Sequence, residues 1–171
     1  MVLRLFICTL AACLPLAVSA DAGPVDRQVA APGKATCIAA DPAQNRQAAK
    51  ATNATRAGAG LRPLRASTLL AEVAARHACD MAMRGRMTHA GSRTPGPGAR
   101  VKAQGYAPRV TAENIAAGPF DLQQVLVAWA DSPGHRDNML IPAMRDFGVG
   151  QAIGADGRTR FWAAVYAAPR R

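Results

Sequence analysis

Histidine and glutamate, the side chains best suited to metal ligation and to proton transfer near neutral pH, are scarce in this chain, which has three His and two Glu. Two of the histidines and one glutamate fall in short polar phrases. These read Met87-Thr88-His89-Ala90-Gly91, Thr111-Ala112-Glu113-Asn114-Ile115-Ala116 and Trp129-Ala130-Asp131-Ser132-Pro133-Gly134-His135-Arg136-Asp137-Asn138. Two imidazoles and a carboxylate make a Zn²⁺ set with an open position, able to polarise water or to hold an oxygen-bearing ligand. A second scheme is nucleophilic. Ser132 and His135 stand three apart, and Glu113 would orient His135 as in a serine hydrolase. No G-x-S-x-G elbow accompanies them, and Ser132 also suits the cap before Pro133. The third reading is structural, with Thr88, Glu113, Asn114, His135 and Asn138 forming a hydrogen-bond network that holds the segments in place. It is the preferred account of Asn114 and Asn138.

The elements that must position these residues follow from periodicity and caps. Pro42 to Ala57 favours helix and stops at Gly58 and Gly60. Ser67 or Thr68 caps a second helix whose apolar stripe runs Leu70, Val73, Ala74, His77, Met81. His77 on that stripe is expected to be a packed, hydrogen-bonded core residue. Residues 91–99 read as loop and Arg100 to Gln104 as a short helix. Asp121 and Gln124 have capping-box spacing at the head of another helix, and Pro133 suits the first turn of one ending near Leu140. Phe147 to Ile153 and Arg160 to Tyr166 alternate like strands around Gly154-Ala155-Asp156-Gly157-Arg158. Both faces of the last strand are apolar, so helices should cover both. The expectation is an α+β fold, an α–β–α sandwich with a small antiparallel sheet, whose three chemical phrases lie on separate loops.

Asn53, Arg56, Gly60-Leu61, Pro63-Leu64, Ala74 to Met81, His89, Glu113-Asn114-Ile115-Ala116, Trp129, Ser132 to Arg136, Asn138 and Gly148-Val149-Gly150 occur in one order over more than a hundred residues. This pattern resembles the bacterial branch of the CAP superfamily, the SCP-like extracellular domains related to cysteine-rich secretory and pathogenesis-related proteins. The resemblance implies the same sandwich and a cleft of two His and two acidic residues, which in several members holds a divalent metal. His89, Glu113 and His135 match three of those positions. The fourth is Ser132 here, as is usual in the bacterial branch, with Asp131 beside it. The resemblance therefore implies a metal on His89, His135 and Glu113, Zn²⁺ first and Mg²⁺ or Ca²⁺ after it, with Ser132 and Asp131 near any ligand. It also implies binding of lipid or another envelope ligand rather than an assured enzyme. The alternative is a metal-dependent hydrolase of the envelope using Glu113, His135 or Ser132.

The ends and the composition set the compartment. Arg4, an apolar run and Val18-Ser19-Ala20 have the layout of a signal peptide over residues 1–20. A secreted or periplasmic chain follows, with lipoprotein anchoring at Cys13 as the alternative and no spanning segment after processing. Residues 21–40 read as a flexible lead-in and 41–171 as one domain. Cleavage removes Cys8 and Cys13 and leaves Cys37 and Cys79, for which a disulfide is expected in that compartment. A catalytic thiol lies far from the His and Glu phrases. The formal charge of +10 would favour an anionic envelope surface, lipid or glycan. Basic residues are scattered and aromatics make up 5%, without a stacking platform, which disfavours nucleic acid. A monomer is expected.

Overall fold

A computed structural model describes residues 25–170; the expected signal peptide, with Cys8 and Cys13, lies outside the described residues. In chain order the elements are β1 (Asp26–Gln28), β2 (Thr36–Cys37), α1 (Pro42–Gly58), β3 (Arg65–Ala66), α2 (Thr68–Arg84) and β4 (Arg86–Thr88). There follow α3 (Pro97–Ala103), β5 (Pro108–Gly118), α4 (Leu122–Asp131), α5 (Pro133–Leu140), β6 (Asp146–Ile153) and β7 (Arg160–Pro169). The main sheet runs β2-β6-β7-β5, all neighbours antiparallel, and β3 lies parallel beside β6. β2 and β3 thus pair with opposite ends of the same strand.

Side-chain alternation along β7 divides the interior in two. Phe161, Ala163, Val165 and Ala167 pack with Leu70, Val73, Ala74, Ala78 and Met81 of α2 and with Val101 of α3. Trp162, Ala164 and Tyr166 point the other way, against Ala48 and Ala49 of α1, Val125 and Trp129 of α4 and Met139 of α5. This is the α–β–α sandwich expected from the apolar faces of the last strand. On β6 the α2 face is nearly bare. A Cβ on Gly148 would meet Leu70 C and Ala71 N at 2.1 Å, and one on Gly150 would meet Ala75 N at 2.2 Å. Helix and sheet therefore touch backbone to backbone, an approach only glycine permits.

Local chemistry sets the helix ends. Asp41 accepts from Ala43 N at the head of α1, and Ser67 accepts from Leu70 N at the head of α2. Asp121 and Gln124 complete both halves of the expected capping box. Gly85 closes α2 at φ 61°. In α1, Asn53 donates to Leu64 O and accepts from Leu64 N, clamping the turn after the helix.

Three expectations need correction. The Glu113 phrase is the middle of an 11-residue strand, not a loop, with Glu113 opposite Val165. Ala112, Ala116 and Ala117 are weak strand formers, and the pairing with β7 overrides them. The short helix begins at Pro97 rather than at Arg100. The lead-in is paired more widely than expected: β1 joins β4, with an Arg86–Asp26 ion pair across them, and β2 joins β6. Cys37 and Cys79 form the expected disulfide, with Cα atoms 5.0 Å apart, tying β2 to α2.

Candidate functional site

Strand parity sends Glu113 to the α2 side of β5 and Asn114 to the α5 side. Glu113 is 4% exposed, and an isolated buried carboxylate there would be costly. Three groups meet it. Arg100, on α3, donates from Nη2 to Oε1 at 2.8 Å and to Oε2 at 2.6 Å. His89, one residue past β4, donates from Nδ1 to Oε1 at 2.9 Å. His77 of α2 places Nε2 3.6 Å from the same oxygen. Burial alone would raise the Glu113 carboxyl; the His89 hydrogen bond and the neighbouring His77 and Arg100 outweigh it and hold it below its usual range.

His77 is the core histidine that its stripe predicts, donating from Nε2 to Thr88 O at 3.0 Å. Burial is the main cause that lowers its pKa to about 4, against the pull of Glu113, so the ring is neutral at pH 7 with its proton on Nε2. Arg100 also donates from Nη1 to His89 O at 3.0 Å, bracing the segment that carries His89. Neither Arg100 nor this second role of His77 was expected. One arginine among 21 basic residues carries no spacing signal.

His135 stands on α5, not on a loop, with Nδ1 2.9 Å from Ser132 Oγ. Ser132 occupies the cap position of α5 without making the cap hydrogen bond, because its hydroxyl is turned to His135. Burial and the nearby His89 lower the His135 pKa. Asn138 donates to Glu113 O and Asn114 Oδ1, and Asn114 donates to His135 O and Tyr166 Oη. These two asparagines clamp α5 to the sheet, the structural role expected of them. Thr88, buried, accepts from Ala90 N. Asp131 ends α4, exposed, and makes no hydrogen bond to the His and Glu side chains among the described residues.

The arrangement brings together His89 and Glu113 and pairs His135 with Ser132, but it does not build the serine relay. Both Glu113 oxygens serve His89 and Arg100, and none serves His135. Nor do three metal-ligating side chains converge among the described residues. The donor set still fits a cation in a different way from the three-ligand expectation. With Nδ1–H of His89 given to Glu113, its Nε2 carries a lone pair, and the carboxylate becomes the partner that orients an imidazole ligand. Ser132 can do the same for His135.

Comparisons with known proteins agree with this architecture. The profile of the CAP family, described as the cysteine-rich secretory protein family, matches residues 49–166. YkwD, an uncharacterized Bacillus subtilis protein, is 32% identical over 108 residues, 63% of this chain and 42% of its own. Among solved structures, an extracellular SCP-domain protein of Bacillus anthracis has a TM-score of 0.65 at 26% identity, over 74% of this chain and 40% of its own. An outer surface protein of Borrelia burgdorferi has a TM-score of 0.64 at 19% identity, covering 81% of this chain and 99% of its own, a likeness of fold. This chain spans about two fifths of the length of its two Bacillus relatives. With the family profile matching well over half of its residues, the chain belongs to the CAP family of cysteine-rich secretory proteins.

Proposed function

We propose that this CAP domain is an exported binding module. Its cleft takes a divalent cation on Nε2 of His89 and of His135, Zn²⁺ first and Mg²⁺ or Ca²⁺ after it, together with a lipid or glycan ligand of the envelope. The observation that carries the reading is that each imidazole has its Nδ1 engaged, by the Glu113 carboxylate or by the Ser132 hydroxyl; with Nδ1–H given to these oxygens, Nε2 is the nitrogen left for a ligand. When bound, the cation would supply a Lewis-acidic contact for an oxygen of that ligand. Glu113 orients His89, and Ser132 orients His135. Export rests on the layout of residues 1–20 and on the extracellular and outer-surface descriptions of the relatives. Among the described residues no helix is long and apolar enough to cross a membrane.

The hydrolase alternative needs a general base within reach of a water. Glu113 is a poor one, since its carboxyl is held low and both oxygens are engaged by cationic or N–H donors. The binding reading is therefore preferred. Calorimetric titration of Zn²⁺, Mg²⁺ and Ca²⁺ into the exported chain at neutral pH tests it. Saturable Zn²⁺ binding is expected, lost in the His89→Ala, His135→Ala double variant and weakened about 10- to 100-fold in Glu113→Gln. Wild-type protein that takes up no cation overturns the metal reading.

A further inference from the structure

Behind the Glu113 cluster, between α2, α3 and residues 91–94, lies a groove of about 550 Å³. Its size is that of a small-molecule site, about 300–1,000 Å³. Val73 and Ala103 line it with apolar surface, while Arg76, Arg93, Arg100 and Asp80 bring charge. Two of its lining side chains are buried with unmet hydrogen-bonding capacity. Arg100 is 9% exposed and His77 1%, yet Arg100 Nε and His77 Nδ1 have no hydrogen-bond partner among the described residues. Unmet buried polar atoms are uncommon in native proteins and call for a partner.

The two atoms ask for opposite things. Arg100 Nε–H needs an acceptor. His77 donates from Nε2 to Thr88 O, so its Nδ1 is a lone pair that needs a donor. The rim repeats the pattern. Arg93 is exposed and its guanidinium has no partner among the described residues, offering donors and positive charge. Asp80 accepts through Oδ2 from Arg84 and Ser92 N, with the Ser92 side chain also on its carboxylate, and this partly exposed carboxylate is the acceptor on the rim. A simple carboxylate or inorganic anion satisfies only the donors. A neutral polyol satisfies the acceptors without using the charge.

From this double pattern we infer that the α2–α3 groove is a second ligand site, for a hydroxyl-bearing organic anion of sugar size such as an acidic monosaccharide. Its acid group lies against Arg93 and the Arg100 side, and its hydroxyls donate to Asp80 and towards His77. The site stands on its own observations and does not depend on a cation in the His89–His135 cleft. Its two walls belong to different elements, α2 and α3, so an occupant bridges them.

Amide-resolved NMR titration of the exported chain with D-glucuronate tests this, with D-glucose and acetate as the two half-ligands. Glucuronate is expected to give saturable shifts at Ser92, Thr94 and Gln104, and neither half-ligand should match its affinity. Arg93→Ala removes one charge-assisted contact and should weaken binding about tenfold or more. Ala103→Phe, on an exposed position of α3, should plug the groove and abolish the shifts. His135→Ala should leave them unchanged, which separates this site from the cleft. The inference is overturned by any of four results: no saturable shift, equal affinity for acetate or glucose, shifts that survive both groove variants, or shifts confined to Arg109 and Arg145, which lie together away from the groove.

Discussion

Glu113 accepts from a guanidinium and from His89, with a second, neutral imidazole 3.6 Å away. Its two neighbours of the same type are thereby set to different tasks. His89 is one-third exposed, while His77 is sealed in the core. The sealed one has a measurable signature. Its folded pKa of about 4 lies below the ordinary 6.5, so the fold refuses a proton that the unfolded chain accepts. Above pH 6.5 both states are neutral and nothing is lost; as pH falls from 6.5 to about 4, stability drops by about 3 kcal/mol. Glu113, Arg100 and Asp80 face the ring, and Glu113 adds its own loss only below its unfolded range, as its lowered carboxyl is forced to protonate. His77→Gln keeps a donor for Thr88 O and does not titrate. Urea unfolding of this variant should decline distinctly less between pH 6.5 and 5 than that of wild type, the slope that remains being that of His135, whose pKa is also lowered. Residue types and flanks made His89, Glu113 and His135 legible in the sequence. Arg100 was not, because its meaning comes from α3 being folded over β5, which no local spacing encodes.

At the scale of elements, alternation was the strongest signal and composition the weakest. β7 could be read as a strand with two buried faces because Phe161, Ala163 and Val165 on one side and Trp162, Ala164 and Tyr166 on the other are all apolar. β5 could not, since alanines occupy much of it and its partner, β7, lies more than 40 residues away. The helix ends were legible because caps are local: Asp121 with Gln124, and Ser67 at α2. Ser132 shows the limit of that logic, a residue with the right neighbours for a cap whose hydroxyl serves His135 instead. Gly148 and Gly150 were noted as a phrase, but their purpose is visible only once α2 lies on β6. A methyl at Gly148 would overlap the backbone of Leu70 and Ala71, which cannot move aside as a side chain can. Gly148→Ala should therefore cost about 3 kcal/mol or more, beyond the usual overpacking penalty, and should appear in thermal unfolding as a large loss of Tm. Gly134→Ala, with open space at its Cβ, is the matched control.

Across the whole molecule, two thin cores share one sheet, so neither face survives the loss of the other. The Cys37–Cys79 bridge closes a separation of 42 residues and joins the N-terminal segment to α2. Cys37→Ser with Cys79→Ser should lower unfolding free energy by about 4 kcal/mol on the chain-entropy estimate, measured by urea titration of the oxidised protein and the variant. A sheet of this kind also has a hazard at its rim, because an unpaired strand edge invites another chain to add on. β5 is that edge. Its carbonyls at Glu113 and Ile115 face away from β7 and are taken by side chains of the neighbouring helices, Asn138 and Trp129. The clamp that seats α5, and with it His135, on the sheet is thus also a seal against strand addition. The sheet carries its protection from polymerisation in the same side chains that hold α5 and its histidine in place.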